Sequence, residues 1–397
     1  MIDYRQELNP EQYRVVMEEG GPLLVLAGAG SGKTRTLTYR VARLLESGVK
    51  QENILLATFT NKAAHSMLNR VESLIHADTR NIMGGTFHHV AHVFLRRHAL
   101  YLGYKTNFSI VDSEDARQII STCMAELKID PKLSKFPKSN VIGEIISLTV
   151  NTQSTLDDIL ETRYPFFLHL MHDITQVAAL YEQKKKELAV MDFDDLLNNC
   201  RTLLKENPDI LKTLSGRFEH ILVDEYQDTN IIQADIVDLL ASTHRNLMVV
   251  GDDSQSIYSF RGANFNNIIN FPHRYPDCKI FKLETNYRST PEILHLANLS
   301  INNNEKQFPK TLRAVRKNGM RPVMVSAQNV LKQADFVAQR VTELIRGGVP
   351  LREIAILYRA HYHSMEMQME FVRRDIPFDI RSGIRFFEQA HIKDVTS

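Results

Sequence analysis

Apolar residues recur along this chain with two different spacings. Uninterrupted runs at PLLVLAG (22–28), NILLATFT (53–60), HILVDE (220–225) and NLMVVGDD (246–253) have the length of buried strands. Between them apolar positions return every three or four residues, as in TRTLTYRVARLLESG (34–48) and GGTFHHVAHVFLRRH (84–98). That is the period of helices with one packed face. From about residue 90 to 200 helical spacing dominates, strand-like runs are scarce, and a lysine-bearing loop, PKLSKFPKSN (131–140), interrupts the pattern. Alternation resumes near Asn286, with strands expected at PVMVSA (322–327) and EIAILYR (353–359). The helix between them should present Val337, Val341, Leu344 and Ile345 on one face and stop at Gly347.

This is the alternation of doubly wound α/β domains with parallel sheets, built twice, with a helical piece inserted in the first. The expected boundaries are 1–90 and 201–287 for the first sheet domain, 91–200 for the helical insertion, and 288–397 for a second, truncated sheet domain. Composition leaves this picture intact: 43% hydrophobic and 24% charged residues are those of a globular protein. A net charge of +1 provides no basic field over the whole molecule, so nucleic-acid binding would need a local track of cations and aromatics. Cys123, Cys200 and Cys278 form no CxxC pair, which argues against a zinc site or disulfide framework and fits the cytoplasm. No apolar stretch is long enough for a membrane span.

Candidate chemistry begins at AGAGSGKT, Ala27 to Thr34, which follows a strand and opens a helix. Gly28, Gly30 and Gly32 would let the backbone of Ala29, Ser31 and their neighbours turn N–H groups onto phosphate oxygens at a helix N-terminus. Lys33 would reach the β and γ phosphates, and the Thr34 hydroxyl would coordinate Mg²⁺. Ala27 departs from the usual Gly, and its Cβ is tolerable where φ stays negative. The second half of the site is LVDEYQDTN (222–230), where two acids stand at a strand's carboxyl end. Asp224 suits a hold on Mg²⁺, and Glu225 suits the base that orients and deprotonates water. A solvated turn is the simpler reading of two such acids taken alone. MDFDDLL (191–197) could suggest a metal, but Asp at a helix start accounts for it.

Six segments, AGAGSGKT, ATFTNKAAHSM, GGTFHH, VDEYQDTN, VVGDDSQSIYSFRGA and LETNYRST, resemble in that order the motifs of UvrD/Rep/PcrA-type superfamily-one DNA helicases. In that family the first loop position is commonly Ala or Gly. The resemblance implies two RecA-like domains with ATP between them and movement 3′ to 5′ on single-stranded DNA up to duplex junctions. It also implies roles for further residues. Gln12 reads adenine, a role compatible with a capping-box place at the helix start after Asn9 and Pro10. Arg35 contacts nucleotide, or is plain helix surface. Gln255 senses the γ-phosphate. Tyr287 stacks on the base or ribose, and Arg288 reaches the γ-phosphate as an arginine finger from the second domain, unless it is a surface residue before the next helix. Phe59, Phe87, His88, Tyr258, Phe260 and Arg261 line the strand's path, with Thr60, Asn61 and Lys62 on phosphates. One or two of the first six should prove structural. Lys132, Lys135 and Lys138 contact duplex or merely face solvent.

Two later family features, a TxHxxKGLE-like segment and a second arginine-bearing box, are absent, so the chain is expected to be an N-terminal piece, ending within a helix at FFEQAHIKDVTS, that binds ATP–Mg²⁺ but turns it over slowly. A non-catalytic ATP-gated strand binder, a small-molecule kinase, and the helicase part of a recombination helicase–nuclease are the competing readings.

Overall fold

The computed structural model describes residues 2–130 and 135–381, so Lys132 and FFEQAHIKDVTS (386–397) lie outside the described residues. The chain divides into two compact units, 1–320 and 321–397. The first is built on a six-stranded sheet: β1 Leu23–Ala27, β2 Ile54–Thr58, β3 Met83–Thr86, β4 His220–Val223, β5 Leu247–Gly251 and β6 Lys279–Leu283. Their spatial order is β3-β2-β4-β5-β1-β6, and every pairing is parallel.

The apolar runs form these strands because both sheet faces are covered. Side chains alternate between two cores, with Leu24, Leu26, Leu55, Ala57, Ile221 and Val223 in one. Leu23, Val25, Ala27, Ile54, Leu56 and Leu222 enter the other. The parallel register aligns Leu26 with Gly251 and Ala57 with Val223, which gathers the carboxyl ends of β1, β2, β4 and β5 along one rim.

Two strands escape the apolar-run pattern. β3 reads MGGT, and the absent side chains of its glycines are replaced from outside: a Cβ on Gly84 would sit 2.8 Å from Leu68 Cδ1. β6, KIFKL, is an edge strand whose residues are largely exposed, so lysines interrupt its apolar residues.

The helical insertion has its own core of Ile120, Cys123, Met124, Phe136, Ile142, Ile145, Leu160, Ile174 and Val177. The flanking helices Phe87–His98 and Phe193–Glu206, by contrast, pack into the sheet's core. Residues 288–320 belong to the first compact unit, where the sequence pattern had opened a new domain.

In the unit 321–397 the expected strands do not form: PVMVSA and EIAILYR are irregular, and no strand is described within 321–381. A strand exists through its ladder partner, and here Met324 (97%) and Leu357 (94%) are exposed. Helix Val330–Arg346 forms and is capped at Gly347; Val337 and Val341 of the expected face pack beside Ala338 against Phe371 and Ile376, and Ala334 is also buried. Ile345 of the expected face is exposed, because the helix Met365–Arg373 supplies the packing surface one turn earlier. Among the described residues no helix is long and apolar enough to cross a membrane.

Candidate nucleotide and single-strand site

The loop between β1 and helix Lys33–Glu46 takes the turns its glycines permit. Gly30 (φ 76°) and Gly32 (φ 89°) are left-handed, a conformation in which a Cβ is strained. Ala27 is the last, fully buried residue of β1 and is not left-handed, so its methyl joins the core. Ser31 Oγ donates to Gly28 O at 2.8 Å, closing the loop on itself. Gln12 Nε2 donates to Ser31 O at 3.0 Å, while its backbone N–H and Oε1 complete a capping box with Asn9, the helix-start role foreseen for it. The loop's far wall is the segment after β6. Tyr287 N donates to Gly30 O at 2.9 Å, and Asn286 Nδ2 donates to Ala29 O at 2.5 Å. Asn286 Oδ1 accepts from Arg288 N (2.9 Å) and Ser289 N (2.8 Å). Asn286, which no spacing singled out, thereby places Arg288 with its Cβ 2.6 Å from where a Gly30 side chain would start. The Tyr287 hydroxyl accepts from Asn9 Nδ2 at 2.8 Å.

Across the rim, Lys33 Nζ meets Glu225 Oε2 at 2.6 Å. Glu225 is held left-handed (φ 51°, ψ 44°), an uncommon conformation for a side-chain-bearing residue and one that concentrates at functional sites. Asp224 is buried, and its Oδ1 has no hydrogen-bond partner among the described residues. Burial, and then the neighbouring Glu225, push its carboxyl up to about 7, with Lys33 opposing. A buried carboxylate oxygen without a donor is what a hard cation needs, and Thr34 stands at the adjacent helix start, so the pair fits Mg²⁺. Gln255 Nε2 donates to Asp252 Oδ2 at 2.5 Å. Lys310, unforeseen from the sequence, pairs with Asp252 and Asp253 and donates to Ser254 Oγ at 2.8 Å, fixing the loop that carries Gln255.

The same rim continues into a groove of about 860 Å³ between the sheet and the helical insertion, lined in part by Phe59, His88, Tyr258 and Phe260. Phe59 stacks on Tyr258 with centroids 5.4 Å apart, and Tyr258 leans on Phe260 at 6.1 Å. His88 meets Phe193 edge-on at 5.7 Å, and burial lowers its pKa.

The profile of the UvrD/REP helicase N-terminal domain matches residues 8–276, and that of the UvrD-like helicase C-terminal domain matches residues 281–397. The chain belongs to the UvrD/REP helicase family. It is 38% identical over 396 residues to the ATP-dependent DNA helicase PcrA of Staphylococcus epidermidis, covering 99% of this chain and 53% of that protein. To PcrA of Staphylococcus aureus it is 38% identical over 394 residues, again covering 53% of the relative. The chain thus spans about half the length of the curated relatives it matches.

Within this member of the UvrD/REP family several expected site residues stand elsewhere. Phe87 is buried in the sheet's core and does not reach the groove, because it is the first residue of the helix whose packed face it begins. Arg35 points to the surface, where Nη2 donates to Glu7 O and Glu7 Oε2, both at 2.7 Å, and the guanidinium lies over Tyr39. Thr60 caps helix Asn61–Ile75 by accepting from Ala63 N at 3.2 Å, which leaves Asn61 and Lys62 exposed beside Phe59. The Arg261 side chain lies outside the described residues; Lys135 and Lys138 are exposed. Asp192 and Asp195 form a capping box, and buried Lys185 bridges them at 3.0 and 2.7 Å. MDFDDLL is therefore a helix start pinned by a lysine, and among the described residues no acid or histidine cluster suits a metal.

Two outcomes follow from these placements. Phe260→Ala should weaken binding of oligothymidylate by roughly 5- to 150-fold, the equivalent of ~1–3 kcal/mol of stacking, with Tm unchanged, since Phe260 is exposed. Phe87→Ala should instead cost about 3–5 kcal/mol of stability by opening the core; denaturant unfolding beside fluorescence anisotropy separates the two. Asp224 gives the second. Its folded pKa lies above the unfolded value of 3.8, so its stability contribution is full below pH 4 and is lost as pH rises towards 7. Without Mg²⁺, Asp224→Asn should therefore gain stability relative to the parent between pH 4 and 7. The limit is on the order of 4 kcal/mol, and a parallel pair of unfolding curves would refute it.

Proposed function

We propose that this chain carries the nucleotide site and strand groove of an ATP-dependent DNA helicase that moves 3′ to 5′ on single-stranded DNA and separates duplex at junctions, in repair or replication. What carries the reading is one rim: the carboxyl ends of the same parallel strands bring Lys33, Asp224, Glu225 and Gln255 together and lead directly into the Phe59–Tyr258–Phe260 stack. A kinase for a small molecule would have no use for a groove of stacked aromatics beside its phosphate loop.

In this reading the loop N–H groups and Lys33 bind the phosphates of ATP, Gln12 and Tyr287 flank the adenosine, and Glu225 takes a proton from the attacking water. Thr34 and Asp224 would hold Mg²⁺, which when bound neutralises phosphate charge. Lys33 is shared: incoming phosphates compete with Glu225 for its ammonium, so nucleotide binding frees the carboxylate at the moment a base is needed. Gln255, at the far end of the loop held by Lys310, would report the γ-phosphate to Tyr258 and Phe260. Alternating grip on the bases would convert each cycle into a step.

The test is ATP turnover with and without oligothymidylate, beside anisotropy of labelled oligothymidylate. The reading expects strand binding and turnover that rises with DNA. Turnover indifferent to DNA, with no strand binding, would leave a nucleotide hydrolase of another kind. Opening of 3′-tailed but not 5′-tailed duplexes tests the direction.

A further inference from the structure

Gln227 sits between the two halves of the rim and is almost wholly buried, at 1% exposure. Its side-chain amide is used on both sides. Nε2 donates to Glu225 Oε2 at 2.8 Å and to Asp228 Oδ2 at 3.3 Å, while Oε1 accepts from Asp252 N at 2.9 Å. Those three partners belong to three parts of the machine. Glu225 faces the nucleotide, Asp228 lines the strand groove, and Asp252 is the residue to which Gln255 is tied.

We infer that the Gln227 amide is the positioning group that couples the occupancy of the strand groove to the nucleotide site. The inference rests on the reading under Proposed function and deepens it by naming the coupling residue.

Three observations carry it beyond ordinary packing. First, the space for the amide is reserved: a Cβ on Gly251, the last residue of β5, would lie 2.5 Å from Gln227 Oε1, so only glycine there admits the carbonyl. Second, the two hydrogens of one NH₂ group bind two carboxylates at unequal distances, 2.8 and 3.3 Å, so an amide that shifts to follow one carboxylate alters its bond to the other. Third, Asp228 is incompletely satisfied. Its Oδ1 is buried with no hydrogen-bond partner among the described residues, and burial followed by the neighbouring Glu225 raises its pKa to about 6.

Asp228 lines the groove while its Oδ1 is closed off within the protein, so that oxygen gains a donor from the groove only when the carboxylate turns towards it. An amino or imino N–H of a nucleobase, or water ordered by the strand, satisfies that oxygen and releases the Gln227 amide to commit to Glu225. The same swing is felt at Asp252 N and hence at the Asp252–Gln255 bond. An amide that shifts in this way would be the two-state element, biased from both sites, that coupling requires.

The experiment measures linkage. Labelled oligothymidylate is titrated by anisotropy into this chain with and without a non-hydrolysable ATP analogue and Mg²⁺. The parent should change its DNA affinity by about fivefold or more on nucleotide binding. Gln227→Met, which keeps the bulk and removes both polar atoms, should reduce that change below about twofold, while each ligand alone binds within about threefold of the parent. Gly251→Ala, whose methyl displaces the amide and also presses on Ile268 Cδ1, should do the same, and covers the case in which Gln227→Met fails to fold.

Thermal melting identifies the folded variants. A merely structural role would lower Tm or both affinities and leave their ratio standing. The inference is overturned if either folded variant retains the parental change, or if the parent binds both ligands with no linkage at all. A parent that binds neither ligand instead defeats the Proposed function, and the inference with it.

Discussion

Glu225→Gln is expected to lower ATP turnover by about 10²–10⁴-fold, the range a positioned general base contributes. The substitution keeps the shape and removes the charge, so the effect isolates proton abstraction from packing. Its second consequence is less obvious. Lys33 Nζ lies 2.6 Å from Glu225 Oε2, so the carboxylate competes with phosphates for that ammonium. With Gln in its place the competition falls away, and the affinity for ATP–Mg²⁺ should hold or rise as turnover collapses. Burial adds to the argument, because Asp224 beside it loses the like charge that, after burial, raises its pKa, and a readily ionised Asp224 favours the metal. Equilibrium nucleotide binding and steady-state turnover, measured on the same preparation, decide the matter. Turnover within about threefold of the parent, or affinity lost in step with it, would remove Glu225 from the role of base.

How much of this was legible in the sequence depends on whether a residue's role is local. The phosphate loop was legible because backbone turns need glycine at fixed intervals, and Gly30 and Gly32 are the two left-handed residues in it. Asp224 and Glu225 were legible because a buried apolar strand ending in acids is itself an anomaly. β3 and β6 were not, since a strand of glycines completed by Leu68, or one at a sheet edge, carries no apolar run. The two strands expected in 321–359 fail for the converse reason: apolar, β-prone residues make a strand only where a ladder partner exists.

Aromatic residues show the same division. Phe59, Tyr258 and Phe260 lie against one another along the groove, whereas Phe87, next to His88, turns into the core. Neighbours on a helix start point about a hundred degrees apart, and no spacing tells which of them faces the groove. Phe193, which meets His88 at the groove wall, lies about a hundred residues further on, where the sequence shows only an acidic helix start. Asn286, Lys310 and Gln227 act entirely through partners distant in sequence or across a turn, and their identity as polar residues gives no warning of it.

Arg288→Ala should reduce turnover by about 10³–10⁵-fold, the range that an arginine finger supplies. The segment before it is fixed with unusual care: Asn286 and Tyr287 bond to Ala29 and Gly30 of the phosphate loop, and Thr285–Asn286 pairs in parallel with Arg313–Ala314. The backbone of Arg288 is thus held against the loop, while its side chain is exposed and makes no hydrogen bond or ion pair among the described residues. A structural arginine would show a committed guanidinium, as Arg35 does with Glu7. Because nothing in the fold leans on the guanidinium, Tm should stay within about a degree or two of the parent's. The loss should fall on kcat, with KM for ATP little changed, if the fork engages charge that develops only as the γ-phosphoryl group departs. Arg288→Lys separates charge from geometry: a point charge restores part of the rate, and the missing bidentate fork accounts for the remainder. Equal activity of the Ala and Arg forms, or a deficit confined to KM, would take Arg288 out of the transition state and leave it as a surface residue beside the loop.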